Sequence, residues 1–274
     1  MMKKIGIQGI KGSYHDQVAK EYFGDSVEIN EFLSFDDLAD SVVSGSSDFG
    51  IMAIENSIAG SIIPNYALID NLNLHIVGEC FVNINHQLMA LPGVDFNDLE
   101  IVSSHPMALL QCKKFFKDYP KITLVEAKDT AEEAKRISKN KIKNFGAIAS
   151  VEASKFYQLN IIHKNIQTIK KNETRFVVIC KEKISKNENF DKASLKFSLN
   201  HKTGSLASVL TILKDYNLNL TKIQSLPIIE FPWKYSFFID TTFINIHDFN
   251  KAVELISHKA ESLKLLGIYK NQMK

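Results

Sequence analysis

The chain has 274 residues, 45% of them hydrophobic, and its acidic and basic residues nearly balance to a formal net charge of +2. A chain of this length exceeds the usual size of one compact domain and can bury a sizeable core, so we expect two or three lobes. The balanced charge, with no basic aromatic stripe, argues against nucleic acid as a partner.

The sequence predicts a cytoplasmic protein without a membrane partner, a metal or a cofactor. Residues 1–11 reach Gln8 and Lys11 before an apolar signal core could form, and no later run is long enough to cross a bilayer. The three cysteines are widely spaced and form no zinc or redox motif, so we interpret them as buried free thiols. The eight histidines show no metal-ligand spacing either.

The first part of the chain alternates short apolar strands with capped helices. Residues 5–8 predict a strand, and Ser13 with Asp16 predicts a capping box at the start of a helix. The apolar run Phe49–Ile54 predicts a buried strand that delivers Glu55–Ser57 into a loop. Taken alone, such polar residues are more often caps or solvated side chains than catalysts.

The same order repeats along the next hundred residues. Ile101–Val102 leads into Ser103–Pro106 and a helix, Ile122–Val125 into a capping box at Asp129–Glu132, and Ala147–Ala149 into Ser150 and another helix. This alternation predicts an α/β domain with a mostly parallel sheet, which binds ligands at the carboxyl ends of its strands. Free N–H groups at the capped helix starts would suit an anionic ligand.

The stretch Asn172–Phe176 is the strongest candidate for chemistry in this part of the chain. It places a hydroxyl, a fixed cation and an aromatic ring side by side before the apolar run Val177–Ile179. From these residues alone, a capped loop with a surface arginine fits equally well.

A second domain follows a segment rich in Lys, Glu, Asn and Ser, from Lys181 to Asp191, which predicts a linker. Beyond it the strand and helix patterns follow the order β-α-β-β-α-β of a ferredoxin-like unit. That unit shows no cluster of titratable groups, so we expect it to serve regulation or assembly. The apolar content of its strands at Phe197, Leu199, Phe237 and Ile239 favours a homodimer or homotetramer, unless these residues pack under the domain's own helices.

Five segments in order resemble the motifs of one enzyme family: Gly12–Tyr14 (Gly-Thr-Phe), Ile54–Ser57 (Ile-Glu-Asn-Ser), Ser103–Cys112 (Ser-His-Pro), Asp129–Ala131 and Thr174–Phe176. The chain resembles the monofunctional bacterial prephenate dehydratases, which join a catalytic domain to a C-terminal ACT regulatory domain. The resemblance implies a catalytic domain like type II periplasmic binding proteins, with residues near Ile169–Ile179 returning to the first lobe. The expected division is 1–182 catalytic (lobe 1 about 1–78 and 170–182, lobe 2 about 79–169), 183–192 linker and 193–274 ACT domain.

The resemblance implies decarboxylating dehydration of prephenate to phenylpyruvate in L-phenylalanine biosynthesis. It implies Thr174 as a catalytic residue, and we add Glu55 as its proton reservoir. The residues expected to bind substrate are Ser13, Asn56, Ser57, Gly60, Ser103, His105, Gln111, Arg175 and Phe176. The sequence leaves open whether Thr174 donates the proton directly or through Glu55. Arogenate dehydratase and a non-catalytic small-anion binding protein are the alternative functions.

The resemblance also implies feedback by L-phenylalanine. The expected effector residues are Gly204, Ser205, Leu206, Leu220 and Ser225. Two departures from the family occur: Met107 stands where glutamine is usual, and Gln224–Pro227 lacks the glutamate and arginine of the Glu-Ser-Arg-Pro effector motif. Whether phenylalanine still inhibits with Leu226 in place of arginine is therefore open.

Overall fold

The structure, a computed structural model, describes residues 2–182, 189–228 and 231–273. Its contacts divide the chain into two compact units, Met1–Ile62 with Phe81–Phe176 and Ile63–Cys80 with Val177–Lys274. Part of the predicted linker, residues 183–188, lies outside the described residues. None of the helices in the described ranges is both long and apolar enough to cross a membrane.

The predicted alternation of strands and helices is present in the first part of the chain. Its strands are β1 (Lys3–Gln8), β2 (Val27–Phe32), β3 (Phe49–Asn56), β4 (Gly60–Ser61), β5 (His75–Asn83), β6 (Gln87–Ala90), β7 (Ile101–Ser104), β8 (Thr123–Glu126), β9 (Phe145–Ala149), β10 (Asn160–His163) and β11 (Glu173–Cys180). Its helices are α1 (Tyr14–Phe23), α2 (Phe35–Ser44), α3 (Ile63–Asn71), α4 (Pro106–Phe116), α5 (Thr130–Asn140) and α6 (Val151–Phe156), with a 3₁₀ turn at Phe96–Asp98.

These strands form two sheets, one for each predicted lobe. The first has the order β2-β1-β3-β11-β5, with β4 paired to β3, so that β11 lies between β3 and β5 from much earlier in the chain. The second has the order β10-β6-β9-β7-β8. In it β7 runs parallel to β8 and β9, but β6 is antiparallel to β9 and β10. The prediction of a mostly parallel sheet is wrong here, because the four-residue strands β6 and β10 are too short to show a pattern.

Side-chain caps start the helices that reach the site. Ser13 Oγ accepts a hydrogen bond from Asp16 N at 3.3 Å, as a cap of α1. The predicted capping box is incomplete, because the Asp16 carboxylate accepts from Gly12 N at 2.8 Å instead of from the cap residue itself. Asp129 Oδ1 accepts from the backbone of Ala131 and Glu132 at 2.8 and 3.0 Å at the start of α5. Each such cap contributes about 1 kcal/mol.

The second unit contains the predicted ferredoxin-like order. Its elements are β12 (Lys192–Ser198), α7 (Ser205–Asp215), β13 (Asn219–Pro227), β14 (Tyr235–Thr242), α8 (Ile246–Lys259) and β15 (Ser262–Tyr269). The sheet order is β13-β14-β12-β15, and all three pairings are antiparallel. The predicted fold class, a two-lobed α/β domain followed by a ferredoxin-like α+β unit, is confirmed.

One face of this sheet packs under α7 and α8. Phe197 and Ile239 are buried in that core, and Leu199 and Phe237 pack against it. The alternative given above therefore holds for Phe197 and Ile239, which the domain's own helices bury, while Leu199 and Phe237 are partly buried against the same core. The apolar content of these strands then gives no separate support for assembly.

The opposite face carries polar side chains together with Phe238, which packs against Tyr66, and residues 63–80 contact it. Lys192 Nζ lies 2.9 Å from both carboxylate oxygens of Glu79, and both side chains are almost completely buried. The carboxylate of Asp70 pairs with Lys196 and Lys264. These contacts group residues 63–80 with the second unit, whereas the sequence placed residues up to about 78 in lobe 1 and those from about 79 in lobe 2.

Candidate active site

A pocket of about 420 Å³ lies in the first unit, at strand ends and helix starts. Its polar lining consists of Gln8, Ser13, Tyr14, His15, Asn56, His86, His105, Gln111, Asp129, Thr130 and Thr174. Its apolar lining consists of Phe35, Ala53, Ala59, Ile62, Ile84, Met107, Ala108 and Phe176. Residues of the first sheet therefore meet, at one cavity, residues that precede or follow strands of the second sheet or lie in its helices.

A continuous chain of hydrogen bonds runs along the pocket through five side chains. Asn56 Nδ2 donates to Thr174 Oγ1 at 2.8 Å and to Asn172 Oδ1 at 2.7 Å. Asn172 Nδ2 donates to Gln111 Oε1 at 2.7 Å, and His86 Nε2 lies 2.9 Å from the same oxygen. Of these five residues, Asn172 is completely buried and does not line the pocket, so it supports its neighbours from behind.

The orientation of the Asn56 amide decides what the Thr174 hydroxyl can do. Asn56 Oδ1 accepts from the backbone N–H groups of Ile58 and Ala59 at 3.0 and 2.8 Å, which fixes the NH₂ group toward Thr174. Thr174 Oγ1 is thus an acceptor in this bond, and among the described residues it has no other side-chain partner. A hydroxyl carries one hydrogen, so that of Thr174 is left for a ligand.

Gln111 is left with a free donor for the same reason. Its Oε1 is occupied by Asn172 and His86, whereas its NH₂ group makes no hydrogen bond within the described residues. Since Gln111 lines the pocket, this NH₂ group is a donor for a ligand.

The lining offers an anion neutral hydrogen-bond donors, beside one acidic group, Asp129. No lysine or arginine is among the described residues that line the pocket. Burial lowers the pKa of His15 to about 3 and also lowers the pKa of His86, so both imidazoles are neutral near pH 7. Burial raises the pKa of Asp129, against the opposing effect of the N–H groups it caps and of His105. Favourable potential for an anion comes from the N-terminal ends of α1, α4 and α5, whose caps Ser13, His105 and Asp129 line the pocket.

Six of the predicted site residues line the pocket: Ser13, Asn56, His105, Gln111, Thr174 and Phe176. The other five do not: Glu55, Ser57, Gly60, Ser103 and Arg175. Strand geometry explains two of these, because successive side chains point to opposite faces. Glu55 precedes Asn56 in β3, and Arg175 lies between Thr174 and Phe176 in β11. The structure therefore places Glu55 and Arg175 outside the pocket lining, and their roles as a proton reservoir and as a carboxylate ligand stay predictions.

The remaining three residues have structural positions. Ser57 Oγ accepts from Glu173 N at 2.9 Å and so ties the loop after β3 to β11. Gly60 lies in the two-residue strand β4, with a φ of 84° that favours glycine. Ser103 is buried within β7. No group of three or more potential metal ligands occurs in the part of the chain that the structure describes.

Sequence reasoning missed the two neutral histidines, His15 and His86, and gave no role to Asn172. His15 packs against Phe176 in an edge-to-face contact with ring centroids 5.0 Å apart. Of these three residues, only Asn172 had a sequence signal for a place in the site, because it is the first residue of the stretch that contains Thr174.

A second cavity of about 430 Å³ lies in the second unit, beside the start of α7. It is lined by Leu199, Asn200, His201, Lys202, Thr203, Ser205, Leu206, Lys234, Tyr235 and Phe237. Of the predicted effector residues, Ser205 and Leu206 are in this lining. The other three are not: Gly204 has a φ of 83° as the N-cap of α7, Leu220 packs against the core, and Ser225 is exposed on β13.

The chain is similar to known proteins in sequence and in structure. The model of the prephenate dehydratase family matches residues 5–184. The bifunctional chorismate mutase/prephenate dehydratase of Buchnera aphidicola subsp. Schizaphis graminum is 33% identical over 271 residues, which are 96% of this chain and 70% of that protein. The chloroplastic arogenate dehydratase/prephenate dehydratase 2 of Arabidopsis thaliana is 37% identical over 236 residues, which are 85% of this chain and 61% of that protein.

Two solved structures share the fold over nearly the whole chain. GqqA, described as a novel type of quorum quenching acylase, aligns with a TM-score of 0.88 at 25% identity and covers 98% of both chains. Prephenate dehydratase from Arthrobacter aurescens in complex with L-Phe also has a TM-score of 0.88, at 21% identity, with 98% of this chain and 90% of that chain covered. At 21% identity the second likeness concerns the fold alone.

Proposed function

Because the chain belongs to the prephenate dehydratase family of lyases, we propose that the pocket binds prephenate and that Thr174 donates its hydroxyl hydrogen to the leaving ring oxygen. One observation carries this proposal. Asn56 Nδ2 donates to Thr174 Oγ1 at 2.8 Å, so the hydroxyl hydrogen remains for the substrate.

The chemistry needs a proton donor more than it needs a base. Prephenate loses its ring carboxylate as carbon dioxide, and the electrons of that bond enter the ring as the C–O bond breaks, giving aromatic phenylpyruvate. The departing oxygen takes the Thr174 hydrogen and leaves as water, and Thr174 regains a proton from solvent. A positioned proton donor contributes about 10²–10⁴-fold to such a step.

Neutral donors hold the substrate without stabilising the departing carboxylate too strongly. The NH₂ group of Gln111 and the N-terminal ends of α1, α4 and α5 offer hydrogen bonds and positive potential in place of a fixed cation. A hydrogen bond to a charged carboxylate contributes about 1.5–3 kcal/mol. Phe176 and Ile84 add apolar wall, beside which a carboxylate loses hydration.

Arogenate is the second candidate substrate, since the Arabidopsis relative is named for both activities. The deciding experiment incubates purified protein with prephenate and, separately, with arogenate at neutral pH, and follows phenylpyruvate and phenylalanine. We expect turnover of prephenate. Absence of product from both substrates would contradict the enzyme and favour a non-catalytic small-anion binding protein.

We further propose that L-phenylalanine binds at the cavity beside α7 and inhibits the enzyme. In support, Ser205 and Leu206 line that cavity, and a structural neighbour is described in complex with L-Phe. Leu226, which stands where the family motif has an arginine, does not line that cavity. If the family's arginine supports the effector by one charged hydrogen bond, we expect binding weaker by roughly ten- to a hundredfold. Calorimetry with L-phenylalanine, together with activity assays, tests this. No heat and no inhibition at millimolar concentration would contradict it.

The proposed setting is the cytoplasm, and the proposed assembly is a homodimer or homotetramer. Assembly now depends on the resemblance alone, because the apolar strand residues that suggested it are covered within the domain. Light scattering at micromolar concentration checks it, and a mass near one chain would contradict it. Assignment to the monofunctional type, and the expected boundaries at 182 and 193, stay predictions.

A further inference from the structure

We propose that His86 is a positioning residue that keeps the NH₂ group of Gln111 turned toward the substrate. The proposal rests on the proposed function, in which Gln111 donates to a substrate carboxylate. His86 precedes β6 and is 3% exposed. Its backbone is held on both sides, by a hydrogen bond from His86 N to Gln167 Oε1 at 3.0 Å and one from Ile166 N to His86 O at 2.9 Å.

The hydrogen bond between His86 and Gln111 fixes the tautomer of the imidazole. Gln111 Oε1 can only accept, so His86 Nε2 must carry the hydrogen across their 2.9 Å separation. Burial lowers the pKa of His86, and a neutral ring with its hydrogen on Nε2 has none on Nδ1. Nδ1 then carries only a lone pair, and it is buried without a hydrogen-bond partner among the described residues. His86 is thus built to donate in one direction, toward Gln111.

Two donors on one oxygen leave the Gln111 amide a single orientation. A flipped amide would place its NH₂ group where Asn172 Nδ2 and His86 Nε2 both donate. Both hydrogen bonds would be lost, and the NH₂ group would face two other donors. Without His86 only the bond from Asn172 opposes that flip. A flipped amide presents its oxygen to the pocket, where it repels a carboxylate that the NH₂ group would bind.

His86 acts through Gln111 and not by contact with the substrate. Both residues line the pocket, but the one side-chain polar atom of His86 without a partner among the described residues, Nδ1, is buried, whereas the NH₂ group of Gln111 is free to donate. A purely structural role is the competing explanation, since the His86 ring also packs edge-on against Tyr14 with centroids 6.4 Å apart. The test must therefore separate hydrogen bonding from packing.

The experiment measures kcat and KM for prephenate in two polar variants that differ in reach. In His86→Gln the amide nitrogen stands as many bonds from the backbone as Nε2, so it can still donate to Gln111. In His86→Asn the amide ends one bond earlier and cannot. We expect His86→Gln to stay within about threefold of wild-type kcat/KM and His86→Asn to lose roughly ten- to a hundredfold, mainly as a higher KM. Equal kcat/KM values for the two variants would overturn the proposal.

A double-mutant cycle adds a readout that packing alone would not give. Gln111→Leu removes the group that His86 positions, so adding His86→Asn to it should change kcat/KM by less than about twofold. An equal loss in both backgrounds would show that His86 acts independently of Gln111 and would overturn the proposal. If Gln111→Leu itself keeps wild-type kcat/KM, the substrate contact of the proposed function fails and this proposal fails with it. If only the His86 variants are silent, the positioning proposal alone fails.

Discussion

Replacing Asn56 with aspartate keeps the shape of the side chain and removes its N–H donors. The bonds that fix the loop, from the N–H groups of Ile58 and Ala59 to Oδ1, can remain with a carboxylate oxygen. The bonds to Thr174 and Asn172, at 2.8 and 2.7 Å, cannot, because both are donated by Asn56. Asn56→Asp therefore reverses the direction of hydrogen bonding at Thr174 while leaving the loop in place.

The magnitude follows from that reversal. A carboxylate at the position of Nδ2 would draw the Thr174 hydrogen to itself, in a charged hydrogen bond of about 1.5–3 kcal/mol. The hydrogen is then no longer available to the leaving oxygen, so kcat should fall by about 10²-fold or more, within the range of a lost proton donor. Opposing the carboxylate to Asn172 Oδ1, which is buried, should cost about 1–3 kcal/mol of stability.

The assay measures kcat at saturating prephenate together with the free energy of unfolding in urea. Asn30→Asp is a matched control, because Asn30 Nδ2 also donates two hydrogen bonds, to Ser46 O and Ser47 Oγ at 3.0 Å, and Asn30 does not line the pocket. We expect the control to lose stability and to keep kcat. A folded Asn56→Asp enzyme with wild-type kcat would refute the orientation argument.

Three further predictions concern stability. Lys192→Met removes the counterion of buried Glu79 and should lower the free energy of unfolding in urea by about 3–5 kcal/mol. Adding Glu79→Gln to Lys192→Met should restore most of that loss, and additive losses from the two mutations would contradict a direct pair. Burial lowers the pKa of His15 in the folded protein to about 3, below its unfolded value near 6.5. The stability that depends on neutral His15 is therefore fully present above pH 6.5, and the free energy of unfolding declines by up to about 1.4 kcal/mol per pH unit as the pH falls toward 3. His15→Phe should therefore have a shallower acid dependence, and equal slopes would contradict this. Gly267→Ala places a Cβ 2.0 Å from the carbonyl oxygen of Ile76, so the free energy of unfolding should fall by about 1–3 kcal/mol. An unchanged free energy of unfolding would contradict the close approach.

Much of the site could be predicted because its signals are local. Helix caps and strand ends are short patterns, and the residues at Ser13, Asn56, His105 and Thr174 follow such patterns and line the pocket. The position of Glu55 and Arg175 outside the pocket lining also has a local origin. Each is adjacent in its motif to a residue that lines the pocket. The structure continues the strands through both motifs, so successive side chains point to opposite faces.

The rest depends on contacts between distant parts of the chain. Asn56 donates a hydrogen bond to Asn172, which lies 116 residues later in the sequence. No short sequence pattern predicts that hydrogen bond or the one from His86 to Gln111. In the second unit, too, the sequence pattern alone is not enough. Polar residues from Lys192 onward alternate with apolar ones, which predicts an exposed position for Lys192. Only the fold shows that residues 63–80 bury it against Glu79.

The measurement that tests the central claim most directly is the turnover of prephenate by Thr174→Val and Thr174→Ser. Valine keeps the shape of the buried side chain without the hydroxyl, whereas serine keeps a hydroxyl that Asn56 can still orient. We predict that kcat falls by about 10²–10⁴-fold in Thr174→Val and stays within about tenfold of wild type in Thr174→Ser. A folded Thr174→Val enzyme with wild-type kcat would contradict the claim that this hydroxyl donates to the leaving oxygen.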